Sequence, residues 1–75
     1  MKKAQIESYK KRYLKVKKHF EGSKLLKNPH FNRLLTAADK SIRKINQKSL
    51  ADETRLLTKN QLDMILSVLE RKLKD

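Results

Sequence analysis

Gly22-Ser23-Lys24-Leu25-Leu26-Lys27-Asn28-Pro29 holds the only glycine and the only proline of the 75-residue chain. Such concentrated punctuation divides the sequence into two helical patterns. Upstream, Ile6, Tyr9, Tyr13, Val16 and Phe20 recur at spacings of three and four. That is one stripe of an α-helix, and it predicts a helix over about residues 3–21. Gly22 supplies the left-handed position at its C-terminus. Residues 23–28 then read as a linker with room for a helical turn, and Leu25 and Leu26 tuck over the end of the core. Asn28 is a good N-cap and Pro29 a good first helical residue. The stripe resumes at Phe31, Leu34, Leu35, Ala38, Ile42 and Ile45, predicting a second helix over about 29–47.

The remainder admits two readings. Ser49-Leu50-Ala51-Asp52 resembles a capped helix start, and Thr58-Lys59-Asn60-Gln61 fits the Ser/Thr-x-x-Glu/Gln capping box. Taking both gives a short helix at about 50–57 and another at 59–74. Ignoring the second gives one helix of about 25 residues. The last stripe is Leu62, Ile65, Leu66, Leu69 and Leu73, and Met64 and Val68 point away from it. On a continuous helix, Leu50, Leu57, Met64 and Val68 would form a second apolar row suited to a homodimer. A break at Thr58 would instead bring Leu50, Leu56 and Leu57 into the same core. The break suits a monomer better and is the expectation. The fold expected is therefore all-α, a single basic domain spanning 1–75. It is a small antiparallel helical bundle of three long helices plus one short connecting helix.

Charge narrows the function. Twenty Lys and Arg face eight Asp and Glu, giving a formal +12. Residues 1–30 carry ten basic and two acidic side chains, and residues 31–75 ten and six. A basic arm of this kind points to an anionic partner: nucleic acid, a membrane surface or an acidic protein. Fifteen of the twenty are Lys, and an AT-rich coding bias would raise Lys without any binding role. That bias does not explain why acids are so few before residue 30. There is no Cys, so no disulfide or Cys-type zinc site staples the fold, and a reducing cytoplasm is the expected location. No apolar stretch follows the basic N-terminus as a secretory signal would require.

Lys11, Lys15 and Lys18 lie opposite the apolar stripe of the first helix, flanked by Lys3, Lys10 and Lys17. Arg33, Lys40 and Lys44 lie on the outer face of the second, with Arg43 beside them. Clustered cations on a rigid face neutralise successive phosphates and release counterions. Lysines act as point charges, so such a face contacts the backbone with little reading of base sequence. The candidate nucleic-acid contacts are therefore Lys10, Lys11, Lys15, Lys17, Lys18, Arg33, Lys40 and Lys44. The plain alternative is a solvated face whose lysines only keep the protein soluble. Arg55 and Lys59 could approach a DNA groove if residues 50–57 and 59–74 formed a helix-turn-helix, but those turns lack Gly. Three of the four aromatics, Tyr9, Tyr13 and Phe20, lie on the core stripe and are not base-stacking platforms. The first helix has the layout of an interfacial amphipathic helix, yet its apolar face is needed for the core, which makes a membrane surface the weaker partner.

No metal, cofactor or catalytic motif is present, and an enzyme is not expected. His19 and His30 read as ordinary surface residues. The acids read as ion-pair partners along helix faces, with Asp39 before Arg43 and Glu70 before Lys74 in the favourable order. Asp52 and Glu53 suit a first helical turn. With a break at Thr58, Met64 and Val68 would form a small apolar partner-binding pair bordered by Gln61 and Lys72, or else pack under residues 23–28.

Lys27-Asn28-Pro29-His30-Phe31 with Leu34-Leu35, and Leu57-Thr58-Lys59-Asn60-Gln61-Leu62 opening a late helix, resemble the small cytoplasmic bacteriocin immunity proteins. The likeness covers about residues 20–74. It implies a basic antiparallel four-helix bundle acting by contact with a membrane-embedded receptor complex. This chain is shorter, has a curtailed third helix and lacks the family's extended C-terminal tail, so no recognition residue carries over.

Overall fold

The computed structural model describes residues 2–73. They form α1 (Lys3–His19), a 3-10 turn (Lys24–Lys27), α2 (Pro29–Ile45) and α3 (Asp52–Lys72), with no strand among the described residues. The all-helical class expected from periodicity is therefore present, as three long helices and one short element. The short element lies at 24–27, between the first two long helices.

Local chemistry explains the first half. Gly22 takes φ of 78°, the left-handed conformation that ends the α1 segment. Ser23 caps the 3-10 turn by accepting from the Leu25 N–H at 3.2 Å. Asn28 caps α2 by accepting from the His30 and Phe31 N–H groups at 2.9 and 3.4 Å, and Pro29 occupies the first turn. The Asn32 side-chain amide donates back to the Leu26 carbonyl and ties the turn to α2.

The second half overturns the expected break. α3 runs unbroken through Thr58, which is buried in its interior. The Thr58 hydroxyl donates to the Thr54 carbonyl one turn back, at 2.8 Å. It is therefore not a cap, because a continuous helix already satisfies the N–H groups that a cap would serve. The helix opens at Asp52 after Ala51, without a side-chain cap, so Ser49 does not start it either. Asp52 and Glu53 do occupy its first turn. Continuity has a second consequence. Leu56 and Leu57 do not join the core but stand 58% and 59% exposed.

The core combines Ile6, Tyr9, Val16 and Phe20 of the α1 segment with Phe31, Leu35, Ala38, Ile42 and Ile45 of α2 and Leu62, Leu66 and Leu69 of α3. Tyr13, Leu25, Leu26, Leu34, Ile65 and Leu73 pack against its edge. Phe20 and Phe31 meet edge to face at 4.9 Å, joining the end of the first helix to the start of the second. α2 is central: its largest contact is with α3, and it also packs on α1 and the 3-10 turn. No helix among the described residues is long and apolar enough to cross a membrane.

Candidate nucleic-acid interface

Acidic side chains are positioned first, because they decide which cations stay uncompensated. Asp63 and Glu70 sit on the flank of α3 that faces α1. Arg12 reaches across from α1 and donates through two nitrogens to Glu70, at 2.6 and 3.3 Å. Its third nitrogen lies 3.6 Å from Asp63, and its guanidinium stands 5.7 Å from the centre of the Tyr9 ring. The Tyr9 hydroxyl donates to Asp63 at 2.7 Å, and Lys59 donates to the other Asp63 oxygen at 3.1 Å. Five side chains thus form one network across the α1–α3 seam.

The network perturbs its members in consistent directions. Burial pushes the Asp63 carboxyl up, but hydrogen bonds from Tyr9 and Lys59 and the charges of Lys59 and Arg12 outweigh it, leaving it below its ordinary value. Tyr9 is raised by burial and then by its bond to Asp63. Arg12 is raised by its bond to Glu70, against the opposing effect of burial. Tyr13 is raised by burial and by nearby Asp39.

Sequence reasoning missed this network. It placed Glu70 with Lys74, a pairing that lies outside the described residues, whereas Glu70 is engaged by Arg12. The available signal was Arg12 itself, the only arginine in a lysine-rich helix, three residues after Tyr9 and four before Val16 on the buried side. The expected Asp39–Arg43 pair does form, at 3.2 Å. Glu7 pairs with Lys10 at 3.6 Å and Asp52 with Arg55 at 3.5 Å. Arg55 also donates to the Gln47 carbonyl at 2.6 Å, fastening the α2–α3 connection to the helix that follows it.

Among the described residues, Lys10 is the only one of the eight candidate contacts with a carboxylate within 4 Å. Lys11, Lys15, Lys17, Lys18, Arg33, Lys40 and Lys44 have none, and all seven are exposed. The structure groups some of them. A groove of about 710 Å³ between α1 and α2 is lined by Lys17 and Lys18 on one wall and Asn32 and Thr36 on the other, over Leu14, Leu26 and Leu35. Asn32 and Thr36 also border a shallower hollow beside Arg33 and Lys40. Lys17, Lys18, Arg33 and Lys40 therefore flank one continuous strip, and Lys44 extends it by a turn. Asn32 and Thr36, one turn apart on α2, add neutral donors that sequence reading did not single out.

Lys11 and Lys15 stand apart from the strip. Lys15 follows by three positions Arg12, which reaches α3, and neither Lys11 nor Lys15 lines the groove. Lys10, two turns before Lys17, shares its charge with Glu7. Met64 is 70% exposed on α3 and Val68 partly buried beside it, on a different helix from the lysine strip. His19 and His30 are exposed, and no group of three metal-ligating side chains gathers among the described residues. No known protein family, curated protein or solved structure matches this chain.

Proposed function

We propose that this is a small non-enzymatic basic protein that binds nucleic acid mainly through phosphate contacts on the α1–α2 surface. One observation carries the reading. Five of the seven described carboxylates are held in ion pairs, whereas seven of the eight candidate contacts have no counter-charge within 4 Å among the described residues. Such a surface attracts a polyanion without needing to read its sequence. The antiparallel arrangement expected for the helices belongs to the same reading. Short connections favour antiparallel neighbours. Tyr9 to Asp63 and Arg12 to Glu70 advance together along α1 and α3, which fits α2 running opposite to both.

Fluorescence anisotropy with mixed-sequence duplex DNA and single-stranded RNA at ~50 and ~200 mM salt tests the proposal. Six phosphate contacts predict an affinity loss of roughly a thousand-fold over that range on duplex DNA. Charge reversal of Lys17, Lys18 and Lys40 should abolish binding with the helical content unchanged. No binding at ~50 mM salt sinks the proposal. The competing reading, a module of the immunity-protein kind acting at a protein complex, routes function through Met64 and Val68. Met64→Asp separates the two, because the nucleic-acid reading expects affinity to survive it.

A further inference from the structure

α3 presents a face that no other helix covers among the described residues. Glu53, Leu57, Asn60, Met64, Ser67 and Arg71 recur along it at spacings of four and three, and all six are exposed. Val68 and Gln61 flank the row. Such spacing holds a line of side chains against a second helix. Leu57 and Met64 lie near its middle, 59% and 70% exposed.

The charges on α3 say what covers it. Asp52, Glu53, Asp63 and Glu70 balance Arg55, Lys59, Arg71 and Lys72, so this helix is neutral in a chain of formal +12. It is the helix on which two such cationic molecules approach with least repulsion. Its charges are also sorted, with Asp52 and Glu53 in the first turn and Arg71 and Lys72 in the last. Glu53 has no basic group within 4 Å among the described residues, and neither does Arg71 an acidic one. Laid antiparallel, two copies bring Glu53 of each beside Arg71 of the partner subunit, at both ends of one interface. Parallel packing would set like charges together instead.

We propose that the protein forms a two-fold homodimer by antiparallel packing of α3 on this face. Leu57, Met64 and Val68 supply its apolar centre, and the Glu53–Arg71 pairs fix its orientation. The contact is isologous, so the same patch serves both subunits and no open chain of molecules results. The lysine strip on α1 and α2 takes no part in it.

Sedimentation equilibrium of the full chain, freed of nucleic acid, tests the proposal over ~10 µM to ~1 mM, since dimerisation follows mass action. The mass should rise from 8.9 kDa towards twice that value. Glu53→Arg and Arg71→Glu alone place like charges at both ends and should each weaken the dimer about tenfold. The two substitutions combined restore opposite charges and should restore association. An equimolar mixture of the two single variants should associate better than either alone. Both positions are exposed, so circular dichroism should show unchanged helix in every variant. A mass fixed at 8.9 kDa throughout overturns the dimer and returns the face to a foreign protein partner. A dimer indifferent to both single reversals, or not rescued by their combination, overturns the antiparallel α3 contact.

Discussion

The Arg12–Glu70 pair should couple α1 to α3 by about 1 kcal/mol. Two unit charges at ~4 Å attract by roughly 1 kcal/mol in water and ~4 kcal/mol at the effective dielectric of a protein surface. The Arg12 and Glu70 side chains are 32% and 37% exposed, which sets the pair between those limits. Ordering two long side chains removes part of the gain, and isolated surface pairs retain about 0–1 kcal/mol. Two-nitrogen geometry and the nearby Asp63 place this pair at the upper end. The perturbations are Arg12→Met, which keeps the packing of the stem, and Glu70→Gln, which keeps the shape of the acid. Urea denaturation followed by far-UV circular dichroism on the wild type, both single variants and the double variant isolates the coupling. In thermal melts of the same variants, each single variant should lower Tm by about 4–8 °C for a loss near 1 kcal/mol in a domain of this size. The coupling should shrink at ~1 M salt. A coupling below ~0.3 kcal/mol at low salt would refute the idea that the seam is held electrostatically, and the network would then be a by-product of apolar packing.

Three further outcomes follow from individual side chains. Because the Asp63 carboxyl is held below its ordinary value near 3.8, its ionised form stabilises the fold above that pH, and the contribution is lost as pH falls through the lowered value; Asp63→Asn should flatten the loss of denaturation midpoint measured from about pH 5 down to 2. Thr58→Val should change stability by less than ~0.5 kcal/mol in urea titration, because the hydroxyl only back-bonds to Thr54, whereas loss of a true N-cap would cost about 1 kcal/mol. Gly22→Ala should cost roughly 1–2 kcal/mol in the same titration, entirely from the left-handed backbone, since nothing lies within 4 Å of the added methyl group.

The helical seams were legible because burial imposes its period on side chains close in sequence. Ile6, Tyr9, Val16 and Phe20, then Phe31, Leu35, Ala38, Ile42 and Ile45, were all placed inside by spacing alone, and all are buried. Asn28-Pro29 and Gly22 were legible because caps and left-handed glycines act within a turn. Continuity at Thr58 was not, since Thr-x-x-Gln has the same local chemistry at a helix start and inside a helix. Tertiary burial decides: Thr58 lies on the stripe of Leu62, Leu66 and Leu69, and a break there would remove it from the core. Asp39–Arg43 could be read along one helix. Arg12–Glu70 could not, because 58 residues separate the partners and only packing brings them together. The lysine strip was half legible: spacing grouped cations on each helix, but packing set Lys17 and Lys18 near Arg33 and Lys40 and left Lys11 and Lys15 elsewhere.

Charge without counter-charge has a thermodynamic consequence that separates a binding surface from a solubilising one. Exposed like charges on neighbouring helices repel one another in the compact state. Lys17 and Lys18 line a groove with two acids, Asp39, which is engaged by Arg43, and Glu21, which has no basic group within 4 Å among the described residues, so that repulsion is only partly offset. Replacing both lysines by glutamine should therefore raise stability by a few tenths of a kcal/mol at low salt, with the gain fading at ~1 M salt as screening does the same work. The same variant should lose nucleic-acid affinity, its salt slope on duplex DNA falling by about two contacts. Opposite movements of stability and affinity in one variant are what a surface kept charged for binding predicts, because function is often retained at some cost in stability. A solubilising surface predicts the first movement without the second. Differential scanning calorimetry and anisotropy on one preparation of the variant would decide between them.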